Sequence, residues 1–121
     1  MRRYPVKEQI LTKLLKYCKI IETILSETDG TFESFENDLK GNLAISFSMQ
    51  QIGELAKYLE PEFMMETREQ VPWNHLRDMR NMYAHEYEVM ELEDIYNAAV
   101  TDIPKLQTFC ENYLKENNDT A

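Results

Sequence analysis

The sequence predicts an all-α fold, a four- to five-helix up-down bundle with short connections. Three observations carry this. Apolar residues recur at spacings of three and four through several long stretches. Only 3 Gly and 4 Pro punctuate 121 residues, too few for the turns of an all-β sandwich or barrel. No stretch of convincing length alternates apolar and polar residues as a strand would. The length suits a single domain, residues 1–121, around one modest core. Hydrophobic residues at 43% and charged residues at 29% are the balance of an ordinary globular chain rather than a disordered one.

The first helix is expected from about Pro5 to Leu25. Ile10, Leu14, Cys18, Ile21 and Leu25 form its stripe, and Leu11, Leu15 and Ile24 widen it. Pro5 suits the first turn, where its missing N–H costs nothing. Thr28-Asp29-Gly30 is a turn signal, and Thr31 can cap a short helix through about Glu36, anchored by Phe32 and Phe35. The second long helix begins near Asn37 or Asp38 and ends at Pro61. Leu43, Phe47, Ile52, Leu55, Ala56 and Leu59 are its expected apolar face. Gly53, inside this helix, costs roughly 1 kcal/mol relative to Ala, which points to close approach of another backbone.

Residues 61–72 read as a polar connection between Pro61 and Pro72. The third long helix starts at Pro72-Trp73, with Leu76, Met79 and Tyr83 as its apolar row, and runs to about Ala84 or beyond. An acidic stretch, Glu86 to Asp94, follows. The last helical region begins near Leu92 and carries Ile95, Ala99, Ile103, Leu106, Cys110 and Leu114. Pro104 lies within it. Either the helix kinks there, or it breaks and restarts with Asp102 as a cap. Asn117 to Ala121 should fray. Six methionines between Met49 and Met90 read as flexible core filler or as a contact surface for another subunit.

The formal net charge of −9 argues at first sight against a nucleic-acid partner. It is unevenly spread. Residues 1–19 hold Arg2, Arg3, Lys7, Lys13, Lys16 and Lys19 against Glu8 alone, a net of +5, and the remainder carries −14. The basic segment is either a solvated face or a docking surface for a polyanion or acidic partner. No window of 18 consecutive apolar residues exists, so no membrane span is expected, and the N-terminus lacks the apolar core of a signal peptide. Cys18 and Cys110 sit at apolar helical positions and read as small core residues in a reducing cytoplasm. No metal site is expected, since no Cys-x-x-Cys or His-Glu-x-x-His pattern occurs.

One segment is dense in chemistry. Residues 77–87 read RDMRNMYAHEY and bring together Arg77, Arg80, Asn81, Tyr83, His85 and Tyr87. Histidine moves protons near neutral pH, and arginine offers a permanent cation whose fork of donors matches phosphate oxygens. Metal-free cleavage of an RNA phosphodiester needs both, a proton shuttle and a cation for the charge gathering on phosphorus. Asn81 could orient either group. The plainer reading is an ion-paired surface, with Arg80 bonded to Glu86 or Asp78. Five residues of ideal helix leave Arg80 and His85 about 140° apart. They share a site only if the helix loosens after Ala84 or if two chains meet at a two-fold axis. His75, the other histidine, reads as a surface or capping residue.

Arg80, Asn81, His85 and Tyr87 resemble the R-x4-H-x-Y signature of HEPN-domain proteins, in particular their HepT-like branch. MQQIGELAKYL, residues 49–59, resembles that branch's I-G-E-x-A helix. VPWNHLRDMRN, residues 71–81, and the closing x-x-D-I-P-x-L, residues 100–106, are similar to it as well. The resemblance implies a helical bundle that pairs as a two-fold homodimer, with the Arg and His motifs meeting in a cleft at the axis. It implies metal-independent RNA cleavage by the toxin of a toxin–antitoxin pair, without a cofactor. It implies a minimal nucleotidyltransferase (MNT-type) antitoxin that transfers AMP to Tyr87. Residue by residue, Arg80 would stabilise the transition state, His85 would act as general acid or base, Asn81 would support the site and Arg77 would contact phosphate. Two other readings stay open. One is a non-catalytic regulatory or binding subunit of a nucleotidyltransferase, which presents Tyr87. The other is a plain helical scaffold.

Overall fold

The computed structural model describes residues 6–86 and 89–119. Among these there are six α-helices and no strand: α1 (Lys7–Ser26), α2 (Phe32–Glu36), α3 (Leu39–Ala56), α4 (Pro61–Glu66), α5 (Trp73–Glu86) and α6 (Leu92–Asp119). Pro5 and the first two arginines lie outside the described residues. The expected bundle corresponds to the four long helices. α1 packs against α3 and α6, α5 packs chiefly against α3, and α2 bridges α3 and α6.

α1 buries the expected stripe, with Ile10, Leu11, Leu14, Cys18 and Ile21 inside. Its lysines divide. Lys13, Lys16 and Lys19 are exposed, while the Lys7 ammonium lies 4.3 Å from the centre of the Phe63 ring, a cation–π contact within the fold. Thr31 caps α2 by accepting from the Ser34 N–H at 3.2 Å, and Asp38 caps α3 by accepting from the Gly41 N–H at 2.9 Å. Phe32, Phe35 and Tyr96 then pack α2 onto α6 with ring centres 5.2 to 6.2 Å apart.

α3 buries the second half of its expected face, with Ile52 and Ala56 inside, Leu55 half-buried and Leu59 buried just beyond the helix. It departs from expectation in its first half. Leu43 and Phe47 point outward with Leu39, and Phe47 is 58% exposed. The inward face runs through Gly41, Asn42, Ile45, Ser46, Ser48, Met49, Ile52, Gly53 and Ala56. Close packing on both α1 and α5 favours small residues along the contact, so the bulky stripe is the one left outside.

The span 61–72 is more than a polar connection. Pro61 opens α4 as well as following α3, since proline fits a first helical turn. Phe63 and Val71 are buried. Phe63 joins Phe109 and Tyr113 of α6 at 5.9 and 5.6 Å, and Trp73 packs edge-on against Phe109 at 6.3 Å. The Trp73 indole N–H donates to the Thr67 hydroxyl at 2.8 Å, which fixes the entry to α5.

α6 is one helix through Pro104 and on past Asn117 to Asp119. Asp102 is therefore not a cap. It lies mid-helix, 6% exposed, and its partner is on another helix. Cys18 and Cys110 are free and buried, and burial pushes both thiols up, Cys110 to about 12 and Cys18 further. Of the methionines, Met49 and Met79 are core, Met64, Met82 and Met90 are half-buried, and Met65 is exposed.

Pro104 is solvent-exposed inside a 28-residue helix, where it lacks the N–H that would reach the carbonyl four residues back. Pro104→Ala should stabilise the fold by roughly 1–3 kcal/mol, the interior proline penalty less the entropy proline removes from the unfolded chain. Urea unfolding followed by circular dichroism measures it, and a lower midpoint would contradict the observed continuity of α6.

Candidate active site

α5 carries the dense segment. Its apolar row, Trp73, Leu76, Met79 and Tyr83, is buried as expected. The helix continues past His85 to Glu86 without loosening after Ala84. Within one chain, then, Arg80 and His85 diverge by about 140° around the axis and about 7.5 Å along it.

Arg80 stands at the edge of the buried face, turned toward α3, with its side chain 24% exposed. Its Nη2 meets Glu54 Oε1 in an ion pair, and its Nη1 donates to Asn81 Oδ1 at 2.7 Å. Glu54 Oε2 also accepts from Lys57 Nζ at 3.2 Å. The cation is thus held from two sides, by a carboxylate on the neighbouring helix and an amide on its own. The Arg80 Nε is buried with no hydrogen-bond partner among the described residues. The structure pairs Asp78 with Arg77 at 3.9 Å rather than with Arg80; the expectation at Glu86 falls on a side chain outside the described atoms.

Gly53 makes this arrangement possible. A Cβ there would collide with Arg80 Cβ and come within 2.6 Å of Arg80 Cγ, and within 3.4 Å of the Leu76 carbonyl oxygen. The close approach expected at this glycine is real, but it is chiefly the stem of Arg80 that comes near. Gly53 and Glu54 are consecutive in the I-G-E stretch. The first makes room for the arginine and the second binds its end.

His85 is exposed in the last turn of α5, Asn81 is exposed one turn earlier, and Arg77 is exposed a further turn back. Tyr87 lies outside the described residues, as does Glu88. Glu91, Glu93 and Asp94 of the acidic run are exposed.

His75 is exposed, as a surface residue would be, but it is not a cap. Its Nδ1 pairs with Asp102 Oδ2 of α6, the imidazole about half-exposed and the carboxylate nearly covered. With Asp102 as a carboxylate, which only accepts, Nδ1 is the donor of this bond. A covered aspartate requires such a partner. The sequence hid this pair because its members are 27 positions apart on different helices. Among the described residues no three His, Cys, Asp or Glu side chains gather where they could hold a metal ion. No helix there is long and apolar enough to cross a membrane.

Comparison with known proteins identifies the family. A family model described as ribonuclease HepT-like matches residues 14–113. The curated protein named "Putative RNase TTE0752", from Caldanaerobacter subterraneus subsp. tengcongensis, is 32% identical over 98 residues, which cover 80% of this chain and 84% of that protein. "Putative RNase MJ0127", from Methanocaldococcus jannaschii, is 33% identical over 76 residues, 63% of this chain and 62% of that one. No solved structure matches the chain.

Gly→Ala within a helix ordinarily stabilises by up to about 1 kcal/mol. Gly53→Ala should do the reverse, costing about 1–3 kcal/mol, because the new methyl must push Arg80 away from Glu54. Urea unfolding of the two proteins decides this, and a gain in stability would show that the contact at Gly53 is loose.

Proposed function

The chain belongs to the ribonuclease HepT-like family, and on that premise we propose that it is an RNA endonuclease that works without a metal ion, as the toxin of a toxin–antitoxin pair. The observation that carries the reading is Arg80, a guanidinium positioned by Glu54 and Asn81 on the same helix as an exposed histidine. The proposed chemistry uses the RNA's own 2′-hydroxyl. Its oxygen attacks the adjacent phosphorus, the P–O2′ bond forms and the P–O5′ bond breaks. The imidazole of His85 takes the proton from O2′ or delivers one to the departing O5′. Arg80 stabilises the extra negative charge on phosphorus as five oxygens crowd it. Asn81 keeps the fork of Arg80 aimed, and Arg77 takes a neighbouring phosphate oxygen.

One chain does not bring Arg80 and His85 face to face, so the reading places the site between two copies at a two-fold axis. The exposed stripe Leu39, Leu43 and Phe47 supports such pairing. It lies on α3, the helix that holds Arg80 through Glu54, and apolar side chains in a row are what a homodimer contact buries.

The regulatory half of the proposal concerns Tyr87. A minimal nucleotidyltransferase antitoxin would transfer AMP from ATP to its phenolic oxygen, forming an O–P bond and releasing pyrophosphate. The added phosphate, two residues from His85, would exclude an RNA phosphate by charge and bulk. A second reading, in which the domain is a non-catalytic subunit that presents Tyr87 to the transferase, draws on the same ion pair. Glu54 offsets the charge of Arg80 in the unliganded chain.

Purified protein incubated with RNA tests the first reading. Arg80→Ala and His85→Ala should each slow cleavage by at least about 100-fold. If wild type cuts no RNA, the nuclease reading fails and the second stands; if His85→Ala cleaves as fast as wild type, His85 is not the proton carrier. Mixing the two inactive variants should restore about a quarter of the activity, because half the dimers are mixed and each of those holds one intact Arg–His pair. No recovery would put both residues of each site on one chain.

Intact mass after co-expression with the transferase tests the regulatory half. Wild type should gain one or more AMP units and Tyr87→Phe none. An unchanged wild-type mass would end the proposed pairing.

A further inference from the structure

We propose that the groove between α3, α4 and the start of α5 is a second RNA subsite, one that takes a short single-stranded segment next to the phosphate that is cut. This rests on RNA being the substrate. The groove has a volume of about 530 Å³, within the range of roughly 300–1,000 Å³ typical of small-ligand sites and enough for one or two nucleotides rather than a long tract.

Its charge is the first argument. The chain carries 22 acidic against 13 basic side chains, yet the groove reverses that balance. Lys57, Arg68 and Arg77 line it, and no Asp or Glu does. Lys57 and Arg77 are more than half exposed and touch Glu54 and Asp78 at 3.2 and 3.9 Å. Exposed pairs of this kind are weak, so a phosphate can compete for either cation. Acidic residues do stand nearby. Glu62, Glu66 and Glu69 line the adjoining opening and share Arg68 and Met65 with it. They fence the groove on that side and keep the favoured anion short.

The floor is the second argument. Met64 and the exposed Met65 offer soft apolar surface, and the nearly buried Trp73, its indole locked by its bond to Thr67, closes the bottom. The apolar face of a base packs on flexible thioether side chains without regard to sequence. Cations at the rim over an apolar floor suit a nucleotide better than an inorganic anion.

Continuity with the proposed catalytic residues is the third. Gly53 lines the groove, and its other contact is the stem of Arg80. Arg77 reaches into the groove one helical turn before Arg80, about 4.5 Å along the axis. A strand with one phosphate at Arg80 can therefore continue past Arg77 into the groove.

The test is fluorescence anisotropy of the full chain with a labelled single-stranded RNA octamer whose 2′-hydroxyls are methylated, so that it binds without being cut. Lys57→Ala and Arg68→Ala should each weaken binding about fivefold and lower the salt slope by about 0.7, one phosphate contact on a single strand. Met65→Glu, at an exposed position that leaves the core intact, should weaken it at least about tenfold. Lys13→Ala, on the basic face of α1, should leave it unchanged. The inference is overturned if the groove variants bind within twofold of wild type while circular dichroism shows them folded. It is equally overturned if Lys13→Ala weakens binding as much as they do, or if free AMP displaces no octamer while the groove variants bind AMP normally. A wild-type protein that binds the octamer through the groove but cuts no RNA would end the nuclease reading and leave the subsite standing.

Discussion

Two polar pairs set the rotation of α5, and everything proposed for this protein depends on that rotation. On one flank Arg80 reaches Glu54 of α3; on the other His75 reaches Asp102 of α6. The apolar row of α5 already selects a buried face, but a hydrophobic stripe alone tolerates some roll and slide. Hydrogen-bonded partners on opposite flanks do not. Rolling α5 toward either side would separate one pair and leave Asp102 unpaired and covered, or Arg80 without its carboxylate, and an uncompensated charge away from water is costly. The net energy of each pair is modest, since desolvation offsets much of the attraction. Their larger effect is to choose one register, in which Asn81 and His85 face solvent and Arg80 lies where a ligand can meet it.

How much of this the sequence displayed depends on what kind of signal each element leaves. α1 was legible because its neighbours lie on one side and its bulky residues form one stripe. The cap at Thr31 was legible because capping is local chemistry. The first half of α3 was misread because it carries two candidate stripes, a bulky one through Leu39, Leu43 and Phe47 and a small, partly polar one through Asn42, Ser46 and Gly53. Periodicity finds a helix, but hydrophobicity chooses the larger stripe. Packing against two helices chose the smaller. α4 escaped notice because six residues are too few for a period and Pro61 reads as a stop as readily as a start.

The candidate site shows the same division. Arg80, Asn81 and His85 stand close in sequence and were found by residue type and spacing. Glu54, which positions Arg80, is 26 positions away, and nothing about a lone glutamate announces its partner. Gly53 did give a signal, since a glycine inside a long helix asks for an explanation, but the signal says only that something comes near. Asp102 was misread for a related reason. An acidic residue just before a proline looks like a helix start, and only the burial of its carboxylate against His75 shows that the helix runs through.

The Arg80–Glu54 pair also bears on how an acidic protein can handle a polyanion. A free guanidinium at the edge of a chain with net charge −9 would attract any phosphate weakly and hold none in a set geometry. Pairing gives up part of that attraction and gains aim. The stem is packed against Gly53, one donor is on Asn81, and the end is directed by Glu54. A phosphate arriving at Arg80 need not order a flexible side chain, and it displaces or shares a carboxylate that Lys57 also binds. Such an exchange is most favourable when the negative charge on the ligand is greatest. In the proposed reaction that is at the five-coordinate phosphorus, so the counterion that weakens ground-state binding sharpens the preference for the transition state.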